Sequence, residues 1–215
     1  MSASRRIVIL IGLALALVVP TVGPAHYIPT IAGADPKLVR EAFWWLLWAA
    51  VTLYVLIVER RPLSSIGVKR PTLMTFVCGI GGGLVVAIGI GAIFAVLFPM
   101  LGLEMNRGAF QTIYQTPFWF RVALVTRAAV VEETLFRGYG IERLQELTGS
   151  RWIAAIVTCA AFTVAHLTYW GPAHLLIAGA AAVVLTALYL WRRDLICNIL
   201  AHWTTDAFGL LLPHP

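Results

Sequence analysis

The sequence predicts an all-α fold, a polytopic bundle of about seven transmembrane helices whose later helices enclose an intramembrane polar cavity. Of the 215 residues, 60% are hydrophobic and only 12% are charged, whereas soluble domains carry roughly 25% charged residues. The apolar residues are grouped into stretches of about 20, the length that crosses a hydrocarbon core of roughly 30 Å. The ionisable residues that fall inside these stretches stand out mainly in the second half of the chain.

The predicted spans are helices, because a helix satisfies its own backbone hydrogen bonds within lipid. Short segments connect one span to the next. Gly171 and Pro172 predict a tight turn between the fifth and sixth spans, and the fourth is expected to continue as an amphipathic helix that ends near Gly149. No internal repeat is present, so residues 1–215 are predicted to form one integral membrane domain. The spans are 6–24, 41–58, 72–101, 118–138, 152–170, 172–191 and 195–212.

The first span also resembles a signal peptide, since two arginines precede an apolar run in RRIVILIGLALALVVP. The following segment, TVGPAHY, has no convincing small-x-small cleavage site. A retained helix is therefore the favoured interpretation.

Basic residues are distributed unequally between the two sets of connecting segments. Lys and Arg are retained on the cytoplasmic side of membrane proteins, so the richer set predicts a cytoplasmic N-terminus and an outer C-terminus. This placement also explains the net charge of +6 without a nucleic-acid partner. The richer set has ten residues (Arg5, Arg6, Arg60, Arg61, Lys69, Arg70, Arg143, Arg151, Arg192 and Arg193) and the poorer has three (Lys37, Arg40 and Arg107).

The segment VVEETLFRG places three ionisable residues inside the fourth span. A carboxylate at that depth is costly and is a functional candidate by default. Glu133 and Arg137 are one turn apart and can pair. Glu132 points about 100° away from Glu133 and is free to face a cavity. A purely structural ion pair would explain Glu133 and Arg137 and leave Glu132 without a role.

Two later segments carry histidines inside predicted spans. FTVAHLTYW contains His166, and NILAHWTTD contains His202 and Asp206, with Asn198 one turn earlier on the same helical face. Such a face must meet water, a metal or other polar side chains. Because His202 lies near the inner end of its span, the cavity is expected to open toward the cytoplasm.

Other candidate positions favour structural interpretations. His26, His174 and His214 are expected to be solvated or to cap helices. Gly79 and Gly83 have the small-xxx-small spacing of a helix-packing face. The three cysteines lie in apolar segments without metal-type spacing, which is typical of free thiols.

The three motifs EETLFR, FTVAH and HWTTD together resemble the signature of the CPBP family, the CAAX prenyl endopeptidases and bacteriocin-processing enzymes also called Abi proteins. The pattern is EExxxR, then FxxxH, then HxxxN or HxxxD on successive hydrophobic helices. The resemblance covers roughly 118–212, the expected catalytic core, whereas 1–101 carries no family-specific motif. The matching residues are Glu132, Glu133 and Arg137; Phe162 and His166; and His202 and Asp206.

The resemblance implies an intramembrane endopeptidase that hydrolyses a membrane-associated protein or peptide in a prokaryotic cell membrane. It assigns Glu132 and His166 to activation of a water, places His202 and Asp206 at a metal or the oxyanion, and implies that Arg137 pairs with Glu133. Two histidines with carboxylates also form a ligand set for catalytic zinc. His166, His202, Glu132 and Asp206 are thus the candidate zinc ligands, and a metal-free glutamate mechanism stays open.

Two other classes of function are compatible with the sequence. One is a non-catalytic protein of the same fold, such as a bacteriocin self-immunity factor or scaffold. The other is a proton-coupled or ion transporter, which can also use intramembrane Glu and His relays. Transporters usually contain repeated halves, and this chain confines its polar motifs to one half without a repeat.

Overall fold

The computed structural model describes residues 2–22 and 35–212, and every regular element within these ranges is helical. His26 and His214 lie outside the described residues. A short 3₁₀ turn, Leu63–Ile66, lies between the second and third helices. The helices are α1 (Ala3–Thr21), α2 (Pro36–Val58), α3 (Leu73–Leu101), α4 (Arg107–Tyr114), α5 (118–148), α6 (Arg151–Trp170), α7 (His174–Arg192) and α8 (Leu195–Leu210).

The all-α prediction is confirmed, and five of the seven predicted spans coincide with helices long and apolar enough to cross a membrane: α1, α2, α3, α6 and α7. The other two predicted spans fall on α5 and α8 and stay predictions. The α5 helix carries many charged residues, and α8 has 16 residues, about 24 Å at 1.5 Å per residue. The chain is therefore a membrane protein with five candidate spans.

Helix ends follow the capping signals of the sequence. The Thr72 and Thr75 side chains form a reciprocal capping box at the start of α3. The Asp194 carboxylate accepts from the Cys197 amide at the start of α8 and from the Thr75 hydroxyl at 2.8 Å. Gly149 ends α5 with a φ of +73°, a conformation that glycine adopts without steric cost. The predicted end of the amphipathic continuation near this residue is confirmed.

The α3 and α8 helices pack extensively against each other. A methyl group added at Gly83 would lie 2.4 Å from the Ala201 carbonyl oxygen, and one at Gly79 would lie 2.9 Å from the Cys197 carbonyl oxygen. Both distances are shorter than a methyl carbon and a carbonyl oxygen can approach without displacing the backbone. The two glycines therefore let the backbones approach, as their spacing predicts.

The middle of α5 lies at the centre of the molecule. All nine residues of Glu133–Ile141 are buried, and this stretch is π-helical, with hydrogen bonds from residue i to i+5. It is preceded by Phe118–Glu132 and followed by Glu142–Thr148, both α-helical. One continuous helix thus joins the two ends of the bundle.

One end of the bundle, here called the basic end, collects segments from across the chain. The Arg143 Nε donates to Glu59 Oε2 at 2.8 Å, and the Arg143 Nη1 donates to the Ser65 carbonyl at 3.1 Å. Glu146 pairs with both Arg5 and Arg61. Glu142 of α5 also pairs with Arg193, and the Lys69 ammonium donates to the Arg192 carbonyl.

The opposite end, here called the cavity end, is held by different contacts. The Tyr114 hydroxyl donates to the Gly209 carbonyl at 2.6 Å, and Arg121 Nη1 donates to the Leu210 carbonyl at 3.0 Å. Asn106 Nδ2 lies 3.4 Å from the Tyr169 carbonyl. The connection between α3 and α5 is thereby fixed to the ends of α6 and α8.

Candidate active site

A cavity of about 1010 Å³ occupies the half of the bundle next to the cavity end. Four of the predicted site residues line it together, and they come from α5, α6 and α8. Most of the other lining side chains are apolar, so a cavity with polar walls throughout is not confirmed. The four residues are Glu132, His166, His202 and Asp206.

Glu132 and His166 face each other across this cavity. The Glu132 Oε2 atom lies 3.9 Å from His166 Nε2, and the two side chains are 16% and 18% exposed. Glu132 Oε2 is buried and has no hydrogen-bond partner within the described structure. Because buried carboxylate oxygens are rarely left unpaired, this atom is oriented toward a ligand or water in the space it shares with His166.

The preceding turn of α6 holds the imidazole of His166 and determines which ring nitrogen carries the proton. The α6 backbone is interrupted here, since the His166 amide bonds to the Thr163 carbonyl three residues back. The ring Nδ1 lies 2.8 Å from the Phe162 carbonyl oxygen. A carbonyl only accepts, so Nδ1 carries a proton. Nε2, which faces Glu132, is therefore the nitrogen left for chemistry in the cavity.

His202 lies between two carboxylates. Its Nδ1 donates to Glu133 Oε1 at 2.9 Å, and its Nε2 lies 3.4 Å from Asp206 Oδ2, one turn along α8. The imidazole is 7% exposed and Asp206 is 27% exposed. An imidazolium in this position donates to both acids. Glu133 therefore fixes the ring from the buried side, and the Nε2–H group is directed toward the cavity wall.

Glu133 belongs to a buried network behind the cavity. Its Oε1 accepts from Arg137 Nη1 at 2.7 Å as well as from His202, and its Oε2 accepts from Asn198 Nδ2 at 3.0 Å. The predicted pairing with Arg137 is thus found, with both side chains at most 1% exposed. The Arg137 guanidinium also lies 4.2 Å from the centre of the Phe162 ring.

Asn198, which its spacing places on the helical face of His202, does not reach the cavity. Its two amide N–H groups are used by Glu133 and by the Leu185 carbonyl at 2.8 Å. Asn198 is fully buried and does not line the cavity. Helical periodicity placed it on the face of His202, but one turn along α8 is enough to pass from the cavity into the packed interior.

Sequence reasoning missed Arg127 and Glu41. The Arg127 guanidinium donates to both oxygens of Glu41, at 3.0 and 3.2 Å, and its Nη1 lies 3.4 Å from Glu132 Oε1. Both residues line the cavity. An arginine inside a predicted span was the signal available. Its acidic partner comes from α2, far away in sequence, and no local pattern links the two.

His174 is the second correction. The sequence suggested a solvated or capping residue, and the structure places its ring in the cavity lining. The ring stacks on Trp170 at 4.8 Å and faces the His166 ring at 6.0 Å, with nearly parallel planes. The turn at Gly171 folds the start of α7 back onto the end of α6, which brings these rings together.

The four tentative zinc ligands form two pairs. Glu132 lies near His166, and His202 lies near Asp206. Within residues 2–22 and 35–212 no three His, Cys, Asp or Glu side chains are grouped to hold a metal. Catalytic zinc needs three protein ligands, and the Nδ1 of His202 is already used by Glu133. The present arrangement therefore does not fit a zinc site, and zinc stays an untested prediction.

The cavity does not adjoin the end of the bundle that was expected. Its lining includes exposed Glu104, Arg107 and Gln111 at the cavity end and nothing from 45–86, 137–161 or 186–201, which form the basic end and its adjoining helix halves. The cavity lining thus lies away from the ten basic residues of the richer set, and the expected opening toward the cytoplasm stays a prediction. His202 is near the inner end of a short helix, but the space beside it extends toward Leu210.

Comparison with known proteins agrees with the motifs. Residues 114–208 match the family model described as type II CAAX prenyl endopeptidase Rce1-like. This segment, rather than the whole chain, is similar to the family. The match confirms the resemblance inferred from the three motifs and contains all six candidate residues from Glu132 to Asp206. No curated protein and no solved structure matches the chain.

The Rce1-like segment does not build the cavity alone. Glu41 and Trp44 of α2 and the second half of α3 also line it, and these elements precede residue 114. The Arg127 guanidinium lies 5.7 Å from the Trp44 ring. The helices outside the Rce1-like segment thus complete the wall beside Glu132.

Proposed function

We propose that this protein is an intramembrane endopeptidase that hydrolyses a peptide bond of a membrane-associated protein or peptide with a water activated by Glu132. The observation that carries the proposal is the buried Glu132 Oε2, which has no hydrogen-bond partner among the described residues and lies in the cavity wall 3.9 Å from His166 Nε2. A water held by these two atoms would have a base on one side and a second hydrogen-bond partner on the other. The Rce1-like family supports peptidase activity.

The proposed reaction uses only residues of the chain and water. The water oxygen attacks the scissile carbonyl carbon, and the proton it loses passes to Glu132. The negative charge then develops on the carbonyl oxygen, where a hydrogen-bond donor stabilises the tetrahedral intermediate. The C–N bond breaks as Glu132 returns the proton to the leaving amine.

His202 is the candidate donor to the carbonyl oxygen. Its Nδ1 is held by Glu133, and its Nε2 faces the cavity beside Asp206. The Glu133 carboxylate in turn is fixed by Arg137 and Asn198. This buried support prevents the ring from rotating, which preorganises the donor before substrate binds.

The assignment of a base is tested in cells that express the wild-type chain or Glu132→Gln. Membrane-associated proteins from both cultures are compared by quantitative proteomics for peptides that end at a new terminus. We expect products of the wild type to fall by about 10²–10⁴-fold in the variant, the usual contribution of general base catalysis.

The matched control is Glu146→Gln, the same chemical change at a residue of the basic end outside the cavity. It should leave the product pattern unchanged. Equal product levels from wild type and Glu132→Gln would show that Glu132 is not the base. The absence of any product from wild type, at expression equal to the variants, would favour the scaffold or immunity class.

A further inference from the structure

His174 is a cavity residue that the proposed reaction leaves unused. It is the first residue of α7, after the turn at Gly171, and its half-buried ring belongs to the cavity lining. Its backbone amide donates to the Gly171 carbonyl at 3.2 Å. Neither ring nitrogen has a hydrogen-bond partner among the described residues. Both nitrogens are therefore left for a molecule that occupies the cavity.

Two neighbouring rings hold the plane of the His174 ring. Its centroid lies 4.8 Å from that of Trp170 and 6.0 Å from that of His166, and the interplanar angles are 14° and 13°. Phe162 packs on His166 in turn, with 4.5 Å between the ring centroids. The nitrogens of an imidazole form hydrogen bonds at the edge of the ring, so packing of the faces leaves them free. That edge lies beside the imidazole whose Nε2 is 3.9 Å from Glu132.

Ring packing alone does not explain a histidine at this position. A phenylalanine ring would fill the same stack, whereas a polar nitrogen without a hydrogen bond in an apolar wall costs free energy. The adjoining wall is apolar, because Ile177 and Ala178, one turn along α7, are buried and line the same cavity. A polar ligand next to His174 gains a hydrogen bond that the protein does not itself make.

The chemistry of the ring matches that of a peptide unit. A neutral imidazole has one N–H donor and one acceptor nitrogen, and a peptide unit has one carbonyl acceptor and one N–H donor. A substrate segment that enters the cavity loses the water molecules bonded to these groups. A hydrogen bond to His174 satisfies one of them beside the pair formed by Glu132 and His166.

We propose that His174 is a substrate-binding residue of the active site, whose ring nitrogens hydrogen-bond the main chain of the bound peptide next to the scissile bond. The inference rests on the proposed function, since it needs a peptide substrate. Activation of the water stays with Glu132 and His166, so His174 contributes to binding and not to the chemical step. Loss of such a contact raises KM and leaves kcat unchanged.

Two substitutions at His174 separate hydrogen bonding from ring packing. His174→Phe keeps an aromatic ring against Trp170 and removes both nitrogens. His174→Gln removes the ring and keeps a donor and an acceptor in one amide group. The probe is a synthetic peptide that spans a cleavage site found by comparing wild type with Glu132→Gln, and kcat and KM are measured in detergent.

We expect KM to rise about 10-fold in His174→Phe with kcat unchanged, the effect of one lost hydrogen bond, and to stay within about 3-fold of wild type in His174→Gln. An unfolded fraction lowers the concentration of active enzyme and leaves KM unaltered, so the comparison does not require equal stability. A wild-type KM in His174→Phe, or an equal rise of KM in both variants, would overturn the proposal.

The outcomes also separate this proposal from the proposed function. If wild type cleaves and Glu132→Gln does not, while His174→Phe has wild-type kinetics, only the role of His174 is overturned. If wild type gives no product at all, the peptidase assignment fails, and the substrate contact of His174 fails with it.

Discussion

At the scale of single residues, two neighbouring glutamates have opposite environments. Glu133 is fully buried, and its two oxygens accept from Arg137, His202 and Asn198. Glu132 has one oxygen 3.4 Å from Arg127, and its other oxygen, at the cavity wall, has no hydrogen-bond partner in the part of the chain that the structure describes. The first carboxylate is committed to holding three side chains in place. The second is the one able to exchange a proton with a ligand.

The same substitution at the two positions should therefore have different effects. Glu133→Gln leaves the buried Arg137 without its counter-charge, which costs about 3–5 kcal/mol. We expect the midpoint of thermal unfolding in detergent to fall by roughly 6–20 °C for a chain of this size. Glu132→Gln should shift that midpoint by only about 2–4 °C, since its one ion pair is long.

The comparison is made on purified protein in the same detergent, with far-UV circular dichroism as the readout. Equal destabilisation by both substitutions would contradict the division of roles between the two carboxylates. So would a stable Glu133→Gln variant that retains a fixed His202.

Arg127 is expected to position Glu132. It holds Glu132 Oε1 while Glu41 binds the rest of its guanidinium group, so that Oε2 stays directed at the cavity. Arg127→Gln should lower kcat by about 10–100-fold through misplacement of the base, with little change in KM. Arg127→Lys, which keeps the charge, should recover part of the loss.

The measurement is kcat and KM of product formation for wild type and both Arg127 variants, together with the midpoint of thermal unfolding of each protein. A lower kcat with unchanged KM and an unchanged midpoint indicates a misplaced base, whereas an unfolded fraction would lower the midpoint as well. A kcat unchanged in Arg127→Gln would rule out a positioning role.

Asp206 distinguishes the metal-free reaction from a zinc-dependent one. Asp206 lies beside His202 rather than in a group of three ligands. Asp206→Asn keeps an acceptor oxygen for the ring but a weaker one, so we expect at most about a 10-fold loss of cleavage rate. Chelation should leave both proteins unchanged.

Rates are measured for wild type and Asp206→Asn after chelation and again after zinc is added back. An enzyme inactivated by the chelator and restored by zinc, with a variant that needs more zinc for the same rate, would establish Asp206 as a ligand. The two-pair arrangement would then have to rearrange when the metal binds.

At the scale of elements, the contact between α3 and α8 depends on the absence of side chains. Gly83→Ala would place a methyl group 2.4 Å from the Ala201 carbonyl oxygen, and such overpacking costs about 1–3 kcal/mol. Gly91→Ala, on the same helix, meets nothing within 4 Å. It should be neutral or stabilising by about 0.5–1 kcal/mol, because alanine favours the helix.

Thermal unfolding of the two variants side by side tests the packing. A Gly83→Ala protein as stable as Gly91→Ala would mean that α3 and α8 can separate without cost. The contact would then not be a fixed part of the bundle.

Local periodicity predicted part of the candidate site, and tertiary packing decided the rest. The i,i+4 spacing predicted the Glu133–Arg137 pair, and the offset of one residue predicted that Glu132 faces elsewhere. The Arg127–Glu41 contact joins residues 86 positions apart. The stacking of His174 depends on the turn after α6. Neither leaves a periodic signal, because each depends on how helices from distant segments pack.

The sequence predicts the fold correctly where amino-acid composition alone determines the position of a helix. Apolar stretches of membrane length were identified for all five candidate spans. The position of the cavity relative to the basic end was not predictable, because the depth of His202 within α8 gives its distance from each end and not the location of the neighbouring free space. That space is set by the packed rings of Phe136 and Phe162 and by the buried network of Glu133.

At the scale of the whole molecule, the basic end is held by a buried ion pair that joins distant segments. Arg143 is 2% exposed and Glu59 is 3% exposed, and Arg143 also bonds to Ser65. Glu59→Gln leaves the Arg143 charge buried, which should cost about 3–5 kcal/mol. Glu146→Gln removes a pair that is 25% exposed on the glutamate, worth about 0–1 kcal/mol.

Chemical or thermal unfolding of both variants measures the stability that the basic end contributes. Cleavage, as a second readout, shows whether the cavity end is affected. We expect Glu59→Gln to unfold earlier yet to cleave normally at temperatures where it is folded, since the pair lies outside the cavity lining. A stability equal to that of Glu146→Gln would contradict the buried-pair argument.

The π-helical stretch Glu133–Ile141 has a consequence for how the chain can vary. It lies between Glu132 at the cavity and Arg143 at the basic end, and its wider turns set the angle between those two side chains about the α5 axis. Each residue of an α-helix turns the chain by about 100°. Deleting a single residue here would turn Arg143 away from Glu59 while Glu132 stayed in place. We therefore expect the loops before and after α5 to tolerate insertions and deletions. The number of residues between Glu132 and Arg143 should not tolerate a change.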